Sequence, residues 1–253
     1  SATLKDINLT RTDISGEGLE NVPVLKLEKL ILVNCRNLTN IGLLELLAKC
    51  SATLKDINLS DTDISGESLV SVPVLKLNKV KMNNCKNLTN MCLLQLLAKG
   101  TTLKELDLTG TNISGEGLES VPVLKLETLI LHACHNLTNA GLQQFLVKCS
   151  ATLKDLNLVA TDISGEGLES APVLKQLEKL ALYSCKHLTQ KGLLELLAKC
   201  SATLKDLNLS KTVFSGEGLE NVPSLKLEKL NLESCRNLTN IGLLQLLAKC
   251  SAT

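Results

Sequence analysis

The sequence predicts an α/β solenoid, in which stacked repeats place parallel strands on one face and short helices or turns on the other. A block of about fifty residues is written five times in succession in the 253-residue chain. Each block contains two strand-like segments with leucines at fixed positions. The aromatic content is only 1%, which indicates a core built mainly from leucine and isoleucine.

The strand-like segments alternate apolar and polar residues. Residues 4–12 and residues 27–35 both follow L-x-x-L-x-L-x-x and then Asn, Cys or Thr, with Ile7 in place of the second leucine in the first segment. Such a pattern points alternate side chains into a core and the others onto an open face. The chain contains ten such segments in all. Their spacings alternate between about 23 and about 27 residues, so each block holds a short and a long repeat. They start at Leu4, Leu27, Leu54, Leu77, Leu103, Leu126, Leu153, Leu177, Leu204 and Leu227.

The long repeat of each block continues with a pattern typical of a short amphipathic helix. In the first block Thr39 is placed to cap the helix, and Lys49 lies where a cation favours its C-terminus. The short repeat carries Gly16, Gly18 and Pro23, which permit one or two turns. This alternation makes the outer side thicker, so we expect residues 1–253 to form a single curved, horseshoe-like domain with a concave sheet and no recognisable capping repeats.

Charge and cysteine usage narrow the possible binding partners and cellular locations. The 27 basic and 26 acidic residues nearly cancel, which gives no indication of nucleic acid or membrane binding. Nine of the ten cysteines occupy two fixed repeat positions, where stacking predicts a ladder of reduced, buried thiols about one strand spacing apart. Several Asn-X-Ser/Thr sequons lie beside core leucines, where a glycan would not fit. We therefore expect a cytoplasmic or otherwise intracellular protein.

A known family shares this pattern. The run LEKLILVNCRNLTNIGLLELLAKCSATLKDINLSDTDISGE, which begins at Leu27, resembles the cysteine-containing class of leucine-rich repeats. A cysteine closes the strand motif, "LT" and a Gly-Leu step follow, and a second cysteine precedes the next strand. The resemblance covers essentially the whole chain and implies protein–protein recognition. That class is best known from the substrate-recognition halves of F-box proteins in ubiquitin ligases, but the sequence contains no F-box segment.

Motifs that suggest chemistry all have a structural interpretation. The glycine-rich run at Ser15 lacks the spacing of a phosphate-binding loop and recurs in every block. His132, Cys134 and His135 are close in sequence, but we expect them on different sides of the chain. Cys92 replaces a recurring glycine, either as an accessible thiol or as a neutral substitution. Without a C-x-x-C pair or a nucleophile–base arrangement, we expect no metal, no cofactor and no enzyme activity.

Differences between the copies gather at three outward positions in the later half of each strand. One interpretation is a concave face diversified to bind a protein, with apolar and aromatic anchors. The other is that these positions vary because they are exposed and unconstrained. The residues predicted to bind a partner are Arg11, Ile31, Val33, Asp61, Lys81, Asn83, Ile130, His132, Val159, Tyr183, Lys211 and Glu233.

The two ends of the solenoid predict a second contact. Residues 249–253 repeat residues 49–53, which lead directly into the next strand inside the chain. We therefore expect head-to-tail self-association, preferably as a closed dimer of about twenty repeats. The predicted edge residues are Leu4, Ile7, Leu9, Leu230, Leu232, Leu246 and Cys250.

The sequence is compatible with three functional interpretations. The first is a non-catalytic scaffold that binds another protein on its sheet and also associates with itself. The second is a structural or engineered consensus module whose only partner is itself, which the near-identity of the copies favours. The third is the substrate-recognition segment of an F-box ubiquitin ligase.

Overall fold

The computed structural model describes residues 4–67, 71–72, 75–100 and 102–251. Within these ranges, none of the helices has the length and apolar character needed to cross a membrane. The helices are α1 (Asn40–Cys50), α2 (Asn90–Lys99), α3 (Asn139–Cys149), α4 (Gln190–Cys200) and α5 (Asn240–Ser251). The strands are β1 (Asp6–Asn8), β2 (Lys29–Ile31), β3 (Asp56–Asn58), β4 (Lys79–Lys81), β5 (Glu105–Asp107), β6 (Thr128–Ile130), β7 (Asp155–Asn157), β8 (Lys179–Ala181), β9 (Asp206–Asn208) and β10 (Lys229–Asn231).

Within each of two compact units the strands pair in parallel and in chain order, which confirms the predicted α/β solenoid of alternating short and long repeats. By its internal contacts the chain divides into two compact units. Unit 1 comprises Ser1–Ile113 and Gly117–Leu126 and carries β1 to β5. Unit 2 comprises Ser114–Glu116 and Glu127–Thr253 and carries β6 to β10.

The strands are shorter than the leucine motif suggests, because each ends in a tight turn. The residue at the centre of that turn has a left-handed φ between 53° and 67°. Ten equivalent positions share this conformation, nine of them with a non-glycine residue: Arg11, Asn34, Asp61, Asn84, Gly110, Ala133, Ala160, Ser184, Lys211 and Ser234. Residues other than glycine adopt it at a cost. The third of the three variable positions is therefore a turn residue.

The helices begin where the sequence predicts. At the start of α1, Thr39 Oγ1 accepts a hydrogen bond of 2.9 Å from the Gly42 N–H, and at its end Lys49 Nζ donates to the Glu20 carbonyl at 2.7 Å. A Cβ on Gly42 would lie 2.0 Å from the Ser15 carbonyl oxygen, so glycine lets the helix approach the preceding turn. Short repeats form single 3₁₀ turns at Leu118–Ser120, Leu168–Ser170 and Leu219–Asn221, as expected.

The predicted ladder of buried thiols is present, but the predicted distance between its cysteines was wrong. Within each unit, a short repeat that lies between two long repeats places a threonine between their cysteines, as Thr62 does between Cys35 and Cys85. Thr62 Oγ1 lies 3.6 Å from Cys85 Sγ, and both groups donate to the Leu59 carbonyl, at 2.7 and 3.1 Å. Equivalent cysteines are thus two strands apart, roughly 10 Å at about 4.8 Å per strand. That separation is too large for a disulfide.

All ten cysteines are free thiols, and nine of them are buried. Burial raises the pKa of Cys50 to about 11 and those of Cys149 and Cys200 to about 12. Cys92 is also fully buried, which excludes its interpretation as an accessible thiol. Only Cys250 is partly exposed. The thiols therefore act as small core side chains.

Candidate functional site

Outward side chains form two rows on the open face of the sheet. The central row is the third residue of each strand, and the end row lies two residues further, because strand side chains alternate. In unit 1 the central row is Asn8, Ile31, Asn58, Lys81 and Asp107, and the end row is Thr10, Val33, Ser60, Asn83 and Thr109. In unit 2 the central row is Ile130, Asn157, Ala181, Asn208 and Asn231, and the end row is His132, Val159, Tyr183, Ser210 and Glu233.

In the short repeats, the central-row residue closes the strand. Asn8 Oδ1 accepts from the Thr10 N–H at 3.0 Å and from the Thr10 hydroxyl at 2.6 Å. The same pair of bonds joins Asn58 to Ser60, Asp107 to Thr109 and Asn208 to Ser210. These positions are therefore structural, although the alternating pattern groups them with the candidate binding positions. The recurrence of Asn or Asp two residues before Ser or Thr was the available signal.

The end row of unit 2 departs from this polar pattern at three neighbouring strands. His132, Val159 and Tyr183 follow β6, β7 and β8 in turn. Hydrogen bonds from the Ala133 N–H to the Val159 carbonyl, at 2.8 Å, and from the Ala160 N–H to the Tyr183 carbonyl, at 2.9 Å, hold them side by side. His132 is exposed, and the other two are half-buried. We call these three residues, with Ile130 from the central row, the unit 2 patch.

Tyr183 is held in place by a lysine from the next strand. Lys211 Nζ donates to the Tyr183 hydroxyl at 2.7 Å and lies 5.0 Å from the centroid of its ring. The hydrogen bond to Tyr183 is the main cause of a raised pKa for Lys211, and the charge of Glu233 adds to it. Such a preordered aromatic ring loses little side-chain entropy on binding, which is typical of an interface anchor.

Unit 1 brings its predicted residues together less closely. Ile31 is the last residue of β2, and Val33 lies two residues further; both side chains are half-buried. Ile31 lines a shallow groove of about 290 Å³ whose other side chains include Lys79 and Lys81. Asp61 lies in the turn after β3, where its Oδ1 accepts from the Asn84 side-chain N–H at 3.0 Å.

The two remaining predicted residues of unit 1 do not extend the apolar surface. Arg11 is exposed in the left-handed turn after β1. Asn83 stands in the end row, and its Oδ1 is buried without a hydrogen-bond partner within the described residues. Among the predicted residues of unit 1, the apolar surface is therefore limited to Ile31 at the end of β2 and Val33 just after it.

Charged residues at the other end of the strands pair across the sheet. Glu28 accepts from Lys5 at 2.8 Å and from Lys55 at 2.5 Å, and these hydrogen bonds lower its pKa to about 2. In unit 2, Lys154 contacts Glu127 at 2.8 Å. The carboxylates are thus paired with lysines, in a geometry that supports the sheet.

The residues considered as metal ligands do not converge. Cys134 is fully buried, while His132 faces outward on the end row. His135 lies in the following turn, where its Nδ1 is 3.3 Å from Asp162 Oδ2. Across the part of the chain that the structure describes, there is no group of three or more His, Cys, Asp or Glu residues arranged to hold a metal ion.

At the N-terminal edge, core positions are open to solvent. Leu4 is 59% exposed, whereas its counterpart Leu54 is fully buried. Ile7 and Leu9 are partly exposed. Residues 1–3, which precede this edge, lie outside the described residues.

The C-terminal edge differs in detail from the prediction. Leu230, Leu232 and Cys250 are partly exposed, but Leu246 is fully buried and offers no surface there. Successive helix residues are about 100° apart, so the end of the stack is formed by Leu247, which is 50% exposed, and by the exposed Leu244. Residues 252 and 253 lie outside the described residues.

Comparison with known proteins supports the reading of the repeats. A family model described as a leucine-rich repeat matches residues 1–22, 101–121, 149–170 and 200–222, which are the short repeats of four blocks. The crystal structure of the yeast Rad7 and Elc1 complex contains a chain similar to this one, with a TM-score of 0.51 and 19% sequence identity. The match covers 89% of this chain and 67% of that chain, and at this identity it concerns the fold. A comparison with curated protein sequences finds no match.

Proposed function

This chain is a leucine-rich repeat protein, and from that premise we propose that it is a non-catalytic scaffold that binds another protein across the open face of its sheet. The observation that carries the proposal is the unit 2 patch. Three adjacent strands there present His132, Val159 and Tyr183, where the end row of the other repeats is mostly polar. Apolar and aromatic side chains grouped on a rigid sheet are typical of interface anchors.

Affinity capture with matched baits tests this proposal. Val159→Ser with Tyr183→Asn gives the end row residues that the chain itself uses at Ser60 and Asn83, so the sheet should fold unchanged. Val173→Ser is the control, because Val173 is an exposed apolar residue outside the two rows. The captured partner is then purified and its affinity measured by calorimetry.

We expect the control to bind like the unaltered protein. The double variant should lose at least about thirtyfold in affinity, since interface anchors contribute about 2 kcal/mol or more each. Circular dichroism spectra should be the same for all three proteins. Equal binding by the double variant would overturn the proposed face, and equal loss in the control would show that the capture does not report on it.

Self-association is the second part of the proposal, and the exposed edges support it. The first and last repeats leave leucines exposed that are buried in every inner repeat, as Leu4 and Leu247 illustrate beside Leu54 and Leu47. Burial of a leucine contributes about 1.5–3 kcal/mol, so joining the edges of two chains is favourable. A head-to-tail dimer is the form that we prefer, because heterologous contacts close into rings or continue into fibres.

Sedimentation velocity across a dilution series tests the edges. Leu247→Glu should shift the protein to monomer, because the charge would be buried in the contact. Ile41→Glu should leave the assembly unchanged, since Ile41 is an equally exposed residue on the outer side of α1. A protein that is monomeric at micromolar concentration without substitution contradicts the self-association proposal and leaves the sheet-face proposal intact.

The cellular location and an alternative role are proposed from the thiols and from the repeat motif. Ten free thiols support a reducing, intracellular location. The resemblance to the cysteine-containing class supports, as an alternative role, substrate recognition within a ubiquitin ligase. Identification of the captured partner decides between these roles.

A further inference from the structure

The turns that follow the end row carry a repeating charge pattern. Long repeats place Arg, Lys or His there, as at Lys186, and three of the five short repeats place an aspartate, as at Asp162. In unit 2 the residues of neighbouring turns approach each other, since His135 Nδ1 lies 3.3 Å from Asp162 Oδ2. Two short repeats lack the aspartate: Asn112 replaces it in the third block, and Val213 replaces it in the repeat that follows Asp162.

The loss of the aspartate at Val213 leaves a groove with only basic charge. A cavity of about 520 Å³ is lined by Lys186, Lys211, Thr212, Val213, Ser234, Arg236 and Asn237. Three of these side chains are cationic, and none is a carboxylate. Within the described residues, neither Lys186 nor Arg236 forms an ion pair. The acidic residue that influences Lys211 is Glu233, which stands in the end row and does not line the groove.

We propose that this groove binds an oxyanion, a carboxylate or a phosphate group, carried by the protein partner. Arg236 offers the planar fork of donors that suits both groups, and the lysines add charge. Lys211 links the groove to the unit 2 patch, because its Nζ bonds to the Tyr183 hydroxyl at 2.7 Å. The inference rests on the proposed function and adds to it: the partner presents an anionic residue beside the apolar residue that covers the patch.

The chain itself supplies a substitution that tests the groove. Val213→Asp restores the residue found at Asp13, Asp63 and Asp162, so it should fold while placing a carboxylate between the cations. Val213→Asn is the matched control, because Asn112 occupies the equivalent position and adds no charge. Tyr183 is the only tyrosine, and the chain has no tryptophan. Intrinsic fluorescence therefore reports on the residue that Lys211 contacts.

Three probes are titrated into each protein: inorganic phosphate, a hexaglutamate peptide, and a neutral peptide with one phosphoserine. Fluorescence and calorimetry are recorded on the same samples, so that binding without an optical change is also detected. We expect saturable binding that weakens as salt is added. Val213→Asp should lower the affinity at least tenfold, Arg236→Gln should lower it as well, and Val213→Asn should change it less than threefold.

The outcomes separate the sources of the anion. Binding of hexaglutamate alone indicates an acidic segment, and binding of the phosphoserine peptide above inorganic phosphate indicates a phosphorylated one. No saturable binding of any probe, or equal loss in Val213→Asp and Val213→Asn, overturns the inference. The partner plays no part in these titrations, so failure of the proposed function appears separately, as unchanged capture by the Val159→Ser, Tyr183→Asn variant.

Discussion

Replacing Gly141 by alanine tests the contact between a long-repeat helix and the turn that precedes it. Gly141 lies near the start of α3. A Cβ there would lie 2.0 Å from the Ser114 carbonyl oxygen and 2.8 Å from the Gly115 carbonyl carbon. Helix propensity alone favours alanine by about 1 kcal/mol. Overpacking costs about 1–3 kcal/mol or more, and an overlap with backbone atoms cannot be relieved by a side-chain rotation. We expect a net loss of about 2 kcal/mol in the free energy of unfolding.

The assay is urea unfolding followed by circular dichroism at 222 nm. Gly167→Ala is the control, because Gly167 has a φ of +84° but no atom within 4 Å of an added Cβ. It should cost about 1 kcal/mol, the penalty of the left-handed conformation alone. A Gly141→Ala protein that is more stable than the unaltered one, or less affected than the control, would refute the close approach on which the stacking of the repeats depends.

Three further predictions concern charge, thiols and turns. Glu28→Gln should flatten the pH dependence of the urea midpoint. The lowered pKa of Glu28 stabilises the fold at pH values above 4.5, the ordinary pKa of a glutamate, and this stabilisation is lost as the pH falls towards about 2. An unchanged pH profile would show that the pairs with Lys5 and Lys55 contribute nothing to stability. In the monomeric Leu247→Glu protein, one cysteine per native chain should react quickly with a thiol reagent at pH 8, because the other nine are buried. Adding Cys250→Ser should remove that phase, and several fast thiols would contradict the buried ladder. Ala160→Gly should raise the free energy of unfolding, measured by urea denaturation, by about 0.5 kcal/mol. Relief of the left-handed φ of 55° at Ala160 should exceed the entropy cost of glycine. A less stable variant would show that packing of the Ala160 methyl group stabilises the fold more than the strained φ destabilises it.

Much of the fold follows from the sequence because the same residue pattern recurs in every block and predicts the same local structure each time. Thr39 as the cap of α1 and the buried cysteines of the strand motif are each dictated by local chemistry that recurs in every block. The spacing of the thiols was missed because Thr62, in the intervening short repeat, takes the equivalent place beside Cys85. The turn after each strand was missed because its left-handed centre is filled by residues such as Arg11 and Lys211, which give no sign of a positive φ.

The candidate site was only partly accessible from the sequence. Alternation correctly placed Val159 and Tyr183 on the open face, where they are half-buried. Alternation alone could not separate variable positions from structural ones. The hydrogen bonds from Thr10 to Asn8 are instead indicated by the spacing of an Asn or Asp two residues before a Ser or Thr. Likewise, the burial of Leu246 depends on the rotation of α5, which leucine spacing alone does not fix.

Site-specific photo-cross-linking tests the central claim most directly. A benzoylphenylalanine is introduced in place of Tyr183 in the unit 2 patch, and in a second protein in place of Val173, which is exposed outside the rows. The proposed face predicts that irradiation in a cell extract yields a discrete protein adduct from position 183 and none from position 173. Adduct formation at 173 alone, or the same adducts from both positions, would contradict recognition through the open face of the sheet.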